Sequence, residues 1–81
     1  MLSRSLAEVN RLFEQEERRT AKLSAAGRQV LAEEPSVQLD YFEIVNPETL
    51  EPVEHISHPA LVAVAAFLGG TRLIDNIVLG N

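Results

Sequence analysis

The hydrophobic period of this chain changes once, at Pro35, and that change orders everything around it. Before Pro35 the apolar residues recur every three or four positions: Leu2, Leu6, Val9, Leu12 and Phe13, then Ala21, Leu23, Ala26, Gly27, Val30 and Leu31. That spacing lays one stripe along each of two helices. The first is expected from about Ser3 to Glu14, with Arg4 and Glu8 outside the stripe and one turn apart, where they can pair. The second is expected to start at Thr20, whose hydroxyl could cap free N–H groups of the first turn. It should end near Glu34, because proline disfavours helical geometry in the residue before it. Gly27 weakens that helix and suggests that the two helices approach closely there. The five or so residues between the helices suit an antiparallel hairpin.

After Pro35 the residues become β-branched and aromatic, and the period drops to two. The run VQLDYFEIV reads as a strand. In simple alternation Val37, Leu39, Tyr41 and Val45 share one face, and Phe42 and Ile44 share the other with Gln38 and Asp40. NPETLEP turns the chain, with Asn46 able to cap a single helical turn that has Pro47 at its first position. The nine apolar residues Ala60 to Leu68 are ambiguous. Four alanines favour a helix; the length, Val62, Val64 and the flanking Pro59 and Gly69-Gly70 favour a buried strand, which is the reading preferred here. A tight turn at the two glycines returns TRLIDNIVL as a third strand. The expected architecture is α+β, a helical hairpin followed by a small three-stranded antiparallel sheet. The 81 residues have room for one domain, 1–81.

Charge excludes one large class of function. Residues 1–28 carry six basic and four acidic side chains, net +2; residues 29–81 carry only Arg72 against eight acidic ones, net −7. A nucleic-acid surface needs several cations aligned on phosphates, which the second half cannot supply. The mixed run Glu16-Glu17-Arg18-Arg19 is expected to tip a solvated loop. The longest apolar run, nine residues, falls far short of the roughly 20 of a membrane-spanning helix. With no signal-like apolar segment and no cysteine, the default location is the cytoplasm.

Few residues suggest chemistry. His55-Ile56-Ser57-His58 resembles the His-Ile-Gly-His motif of adenylylating enzymes. There glycine lets the nucleotide pack close and the histidines stabilise phosphate charge. Here Ser57 replaces that glycine, Pro59 follows at once, and the strand–loop–helix context is missing. Exposed loop histidines are the better reading. Two histidines alone also make a poor zinc site, which wants three or four ligands. Ser3-Arg4 belongs to a helix surface, and the pairs Glu33-Glu34 and Glu51, Glu54 lie near turns with no cleft between them. No catalytic, cofactor or metal residue is assigned.

The order LDYFEIVNPETLEP, apolar run, GGTRLIDNIVL carries a more specific signal. It resembles the C-terminal domain of the pantoate–β-alanine ligase (pantothenate synthetase) family. That family's pattern of Leu-Asp-Tyr, Thr-Leu and Thr-Arg-Leu-hydrophobic-Asp-Asn falls here on Leu39-Asp40-Tyr41, Thr49-Leu50 and Thr71 to Asn76. Asn46 stands where the family has Asp. The resemblance covers essentially the whole chain. It implies a lid over the cleft of a nucleotide-binding catalytic domain that these residues do not include. It also implies an enzyme that uses ATP and magnesium to join pantoate to β-alanine through a pantoyl-adenylate, the full-length form being a candidate homodimer. This domain alone should hold no cofactor and turn nothing over. The signature residues Asp40, Tyr41, Thr71, Arg72, Asp75 and Asn76 are expected to be structural. Asp75 should accept hydrogen bonds from backbone N–H groups or side chains, Tyr41 among them, while Tyr41 buries its ring. Arg72 should pair within the acidic half or face the cleft. The alternative is a free-standing interaction module, a candidate homodimer through a sheet edge.

Overall fold

The structure, a computed structural model, describes residues 2–80; Met1 and Asn81 of the expected 1–81 domain lie outside the described residues. Two helices, α1 (Leu2–Glu14) and α2 (Thr20–Ala32), precede three strands, β1 (Val37–Val45), β2 (Ala60–Leu68) and β3 (Thr71–Leu79). The sheet is antiparallel in the order β1-β2-β3. The ambiguous alanine-rich run is the central strand. Its side chains are covered from both neighbours, so small residues suit it and β-branched Val62 and Val64 fill its core face.

Both helices lie on one side of the sheet, α2 against β1 and α1 against β3. The core forms between the layers: Leu2, Leu6 and Val9 of α1, Leu23 and Leu31 of α2, Phe42 and Ile44 of β1, Val62 and Val64 of β2, and Leu79 of β3. In α2 the buried positions are Leu23, Gly27 and Leu31, one per turn; Ala21, placed in the stripe by its spacing, is exposed. Gly27 does not serve the expected close approach of the two helices; it is where α2 and the sheet touch. A Cβ built there would lie 2.7 Å from Phe42 Cε2 and closer still to Cζ. Glycine permits that approach by having no side chain.

Several local expectations change in three dimensions. Thr20 does not cap α2: the N-cap position is Arg19, and the Thr20 hydroxyl donates instead to the carbonyls of Val53 (2.6 Å) and Glu54 (3.0 Å). Arg4 does not pair with Glu8. It reaches Glu33 at 3.0 Å, and Glu8 pairs with Arg11. The 46–50 segment, by contrast, makes the expected single turn, closed by the Leu50 amide on the Asn46 carbonyl at 2.7 Å. Asn46 Oδ1 accepts the amides of Glu48 (2.8 Å) and Thr49 (3.3 Å), and Leu50 takes φ 62°. The 16–19 loop is less solvated than its charge implies. Arg18 lies 3.9 Å over the Phe13 ring and donates to the Phe13 carbonyl at 2.6 Å.

The largest change is in β1. Leu39 pairs with Ala66 and Tyr41 with Ala65, so Asp40 is an extra residue without a partner, a β-bulge. One added residue reverses the side on which every later side chain falls. Val37 and Leu39 still face the helices, but after the bulge Phe42 and Ile44 do so, and Tyr41 and Val45 turn away. Phe42 and Ile44 are 3% and 6% exposed, while Tyr41 is only half-buried.

Candidate functional site

Among the described residues no helix lies over the side of the sheet turned away from α1 and α2, and only its Val45 end, beside Pro52, is buried on β1. Four antiparallel rows can be read across it: Gln38–Phe67–Arg72, Tyr41–Ala65–Ile74, Glu43–Ala63–Asn76 and Val45–Leu61–Val78. Ile74 is 66% exposed and Val78 44% exposed. These apolar side chains are the ones a covering body would bury.

The bulge gives this face its polar group. It frees Asp40 from the ladder, and the carboxylate Oδ2 meets Arg72 Nε at 3.1 Å. The Arg72 guanidinium also lies 5.8 Å from the Tyr41 ring centroid, within the range of a cation–π attraction. The pair is half-exposed. β1 and β3 stand roughly 9–10 Å apart across β2. The long Arg72 side chain covers that gap over a central strand that contributes Ala65 beside it. Arg72 is the only cation after Arg28 in the sequence, so this acidic half shows its one positive charge here.

Of the signature residues, Asp40, Tyr41, Arg72 and Asn76 thus gather on the helix-free face. Thr71 sits exposed beside the Gly69-Gly70 turn, where Gly69 takes φ 62°. Asp75 points the other way, toward α1. It lines a groove of about 370 Å³ with Ser3, Leu6, Ala7, Asn10, Ile77 and Val78. Its Oδ1 accepts the Asn76 amide at 2.8 Å, so the expected backbone partner is present. Tyr41 is not a partner of Asp75, and its ring is not in the core: the bulge puts it on the opposite side of the sheet. Ile74 shares this surface with Arg72 and Asn76, as alternation along the strand predicts; Phe67 and Val78 belong to it too, although nothing singled them out in the sequence. Their signal is an apolar residue at alternate positions of strands whose other face is already apolar.

The histidine pair is elsewhere. His55 and His58 are exposed, and between them Ile56 is buried. That loop is tied to the helical hairpin: the Ile56 amide donates to Arg18 (2.9 Å) and the Thr20 amide to Glu54 (3.0 Å). Among the described residues no three His, Cys, Asp or Glu side chains converge as metal ligands, and no helix is long and apolar enough to cross a membrane.

The match to known proteins runs along nearly the whole chain. The family model described as pantoate-beta-alanine ligase matches residues 1–78. The pantothenate synthetase of Acidobacterium capsulatum is 51% identical over 81 residues, and that of Koribacter versatilis 53% over 79. The aligned region is 100% and 98% of this chain but 27% of each relative. A bifunctional pantoate ligase/cytidylate kinase of a Synechocystis species is 40% identical over 84 residues, 16% of its length. The crystal structure of pantothenate synthetase from Thermus thermophilus superposes with a TM-score of 0.86 at 34% identity, covering 94% of this chain and 27% of that one. The chain therefore spans about a quarter of the length of the synthetases it matches. With sequence and fold in agreement from the first helix to the last strand, this chain belongs to the pantoate-beta-alanine ligase family.

Proposed function

We propose that these residues form the C-terminal lid of a pantoate–β-alanine ligase, with the helix-free sheet face turned toward the catalytic part of the enzyme. The observation that carries the reading is the pairing of family membership over about a quarter of a relative's length with an uncovered apolar face. In this reading the remaining three quarters hold the nucleotide-binding fold, the adenylylating residues, and the sites for ATP and magnesium. Pantoate attacks the α-phosphate of ATP, forming pantoyl-adenylate and releasing diphosphate. The β-alanine amine then attacks the acyl carbon, and AMP leaves as the amide forms.

The acyl-adenylate is a mixed anhydride that water would hydrolyse. A lid that excludes water protects it until the amine arrives. Ile74, Val78 and Phe67 suit a face that seals a cleft, and Arg72, braced by Asp40, offers that cleft a positive charge. The domain supplies closure and orientation rather than acid–base groups.

The test has two arms. The purified 81-residue chain, given ATP, magnesium, pantoate and β-alanine, is expected to form no pantothenate; measurable product overturns this division of labour. In the full-length enzyme Ile74→Glu is expected to depress turnover while leaving the melting temperature of the isolated domain unchanged. Unaltered turnover places the interface on another face.

A further inference from the structure

The two edges of the sheet are treated differently. On the β1 edge, the Ile44 carbonyl accepts the Val53 amide (3.1 Å), Val45 bridges to Pro52, and the Phe42 carbonyl accepts Arg28 (3.2 Å). From Phe42 to Val45 that edge is covered by its own chain, and before it the bulge at Asp40 interrupts the ladder. Along β3, among the described residues, no backbone hydrogen bond reaches the outer side. β3 is nine residues long, holds no proline, and pairs with β2 without a bulge. Such an edge is a template for another strand.

The Asn76 amide donates to the Asp75 side chain rather than to β2, which identifies the outward-facing set. By the alternation of an antiparallel ladder, Arg72, Ile74, Asn76 and Val78 direct their N–H and C=O groups outward, and Asp75 directs its own to β2. A second copy that used all four would pair residue 72 with 78 and 74 with 76 about a two-fold axis. Asp75, the fifth of nine residues, lies on that axis and faces its own symmetry mate. The position is a non-hydrogen-bonded pair, in which opposed side chains come closest. Two carboxylates there repel, and each already holds the Asn76 amide that pairing needs. Sliding the register by two residues separates the charges but gives up part of the ladder. The groove between α1 and β3, about 370 Å³, leaves room beside Asp75 for a side chain from an added strand.

We propose that the β3 edge is a strand-pairing surface selected by Asp75: it rejects a second copy of this chain and accepts an extended strand that brings a cationic side chain opposite Asp75. The cation neutralises the carboxylate, the Asn76 amide is released to the ladder, and the incoming strand continues the sheet as β-augmentation.

Sedimentation equilibrium tests this with the chain as its own probe. The 81-residue protein and its Asp75→Lys variant, each alone, are expected at the 8.9 kDa monomer mass. An equimolar mixture, which sets Lys against Asp, is expected to approach twice that mass. Placing Asn76→Pro in both chains removes an outward N–H that β2 does not use, and should return the mixture to monomers. Asp75→Asn supplies an arm that does not depend on the lysine variant folding. It removes the repulsion at nearly constant shape, and its self-association should exceed that of the unmodified chain by about tenfold or more, a change of about 1.4 kcal/mol. A mixture that stays monomeric, an unmodified chain that dimerises through β3, or an Asp75→Asn chain that associates no better than its parent overturns the proposal.

Discussion

Arg72 Nε sits 3.1 Å from Asp40 Oδ2 although the whole of β2 lies between their strands. The pair is half-exposed, so solvent screens it and its contribution to stability should be small. A double-mutant cycle with Arg72→Gln and Asp40→Asn in the isolated domain, read by urea unfolding, is expected to give a coupling of about 0.2–1 kcal/mol. Raising the salt should reduce it. If the residues serve the lid, the same substitutions in the full-length enzyme should cost more in turnover than in folding. A coupling of several kcal/mol in the isolated domain would make the pair a structural element instead.

Gly27 and Phe42 define the tightest contact between the layers. Replacing the glycine by alanine favours the helix by about 1 kcal/mol. It also drives a methyl group into the end of the Phe42 ring, which is only 3% exposed. Overpacking of this kind costs about 1–3 kcal/mol. Gly27→Ala should therefore lower stability by about 1 kcal/mol, measured by urea unfolding, and Gly27→Ala with Phe42→Leu should recover part of the loss. A more stable Gly27→Ala variant would mean that the contact relaxes freely.

Gly27 and Asp40 also mark what the sequence can and cannot tell. The 3.6-residue period before Pro35 placed both helices and the two-residue period after it placed β1, whereas β2 was read from its length, Val62, Val64 and the flanking Pro59 and Gly69-Gly70, and β3 from the turn at those glycines. Gly27 stood out because glycine has a known cost inside a helix. The bulge at Asp40 had no local signature: it exists only as a register between β1 and β2, and it moved Tyr41 from the expected core to the open face. Arg4 behaved the same way. Its near neighbour Glu8 is visible in the sequence, but its partner Glu33 is brought to it by the folding of the hairpin. The candidate surface was legible only in part. The signature residues named four of its members, whereas Phe67 and Val78 are defined by which face the helices leave bare.

Thr20 ties α2 to the loop that carries the histidines. Its hydroxyl meets the Val53 carbonyl at 2.6 Å, and its amide meets Glu54 at 3.0 Å. Thr20→Val keeps the shape and removes the hydroxyl donor, which should cost about 1 kcal/mol. The loss should be local as well as global: the Ile56 amide, bonded to Arg18, should exchange its hydrogen faster in the variant. Thr20→Ser retains the donor and should stay close to the parent. Equal exchange at Ile56 in the parent and in Thr20→Val would show that the backbone bonds alone hold the loop.

Acid should loosen the helical hairpin at two identifiable carboxylates. The side-chain hydrogen bond from Arg19 is the main cause that lowers the Glu17 pKa, followed by one from the Arg19 amide. The side-chain hydrogen bond from Arg11 does the same for Glu8. A carboxylate whose pKa is lower folded than unfolded binds fewer protons in the native state. Its contribution is present above the ordinary glutamate value, about 4.3, and is lost as the pH falls through the lowered folded value. Both carboxylates lie at the surface, partly covered and paired with more exposed arginines, so solvent screens them and the effect is a modest slope in the urea midpoint below about pH 4.3 rather than a collapse. Glu17→Gln and Glu8→Gln should each flatten that slope, and together flatten it further, since the two pairs lie on separate parts of the hairpin. Glu33, paired with Arg4 at 3.0 Å on the exposed face, is the natural comparison. If Glu33→Gln flattens the acid slope more than Glu17→Gln does, the loop pair is not the acid-sensitive contact of the hairpin.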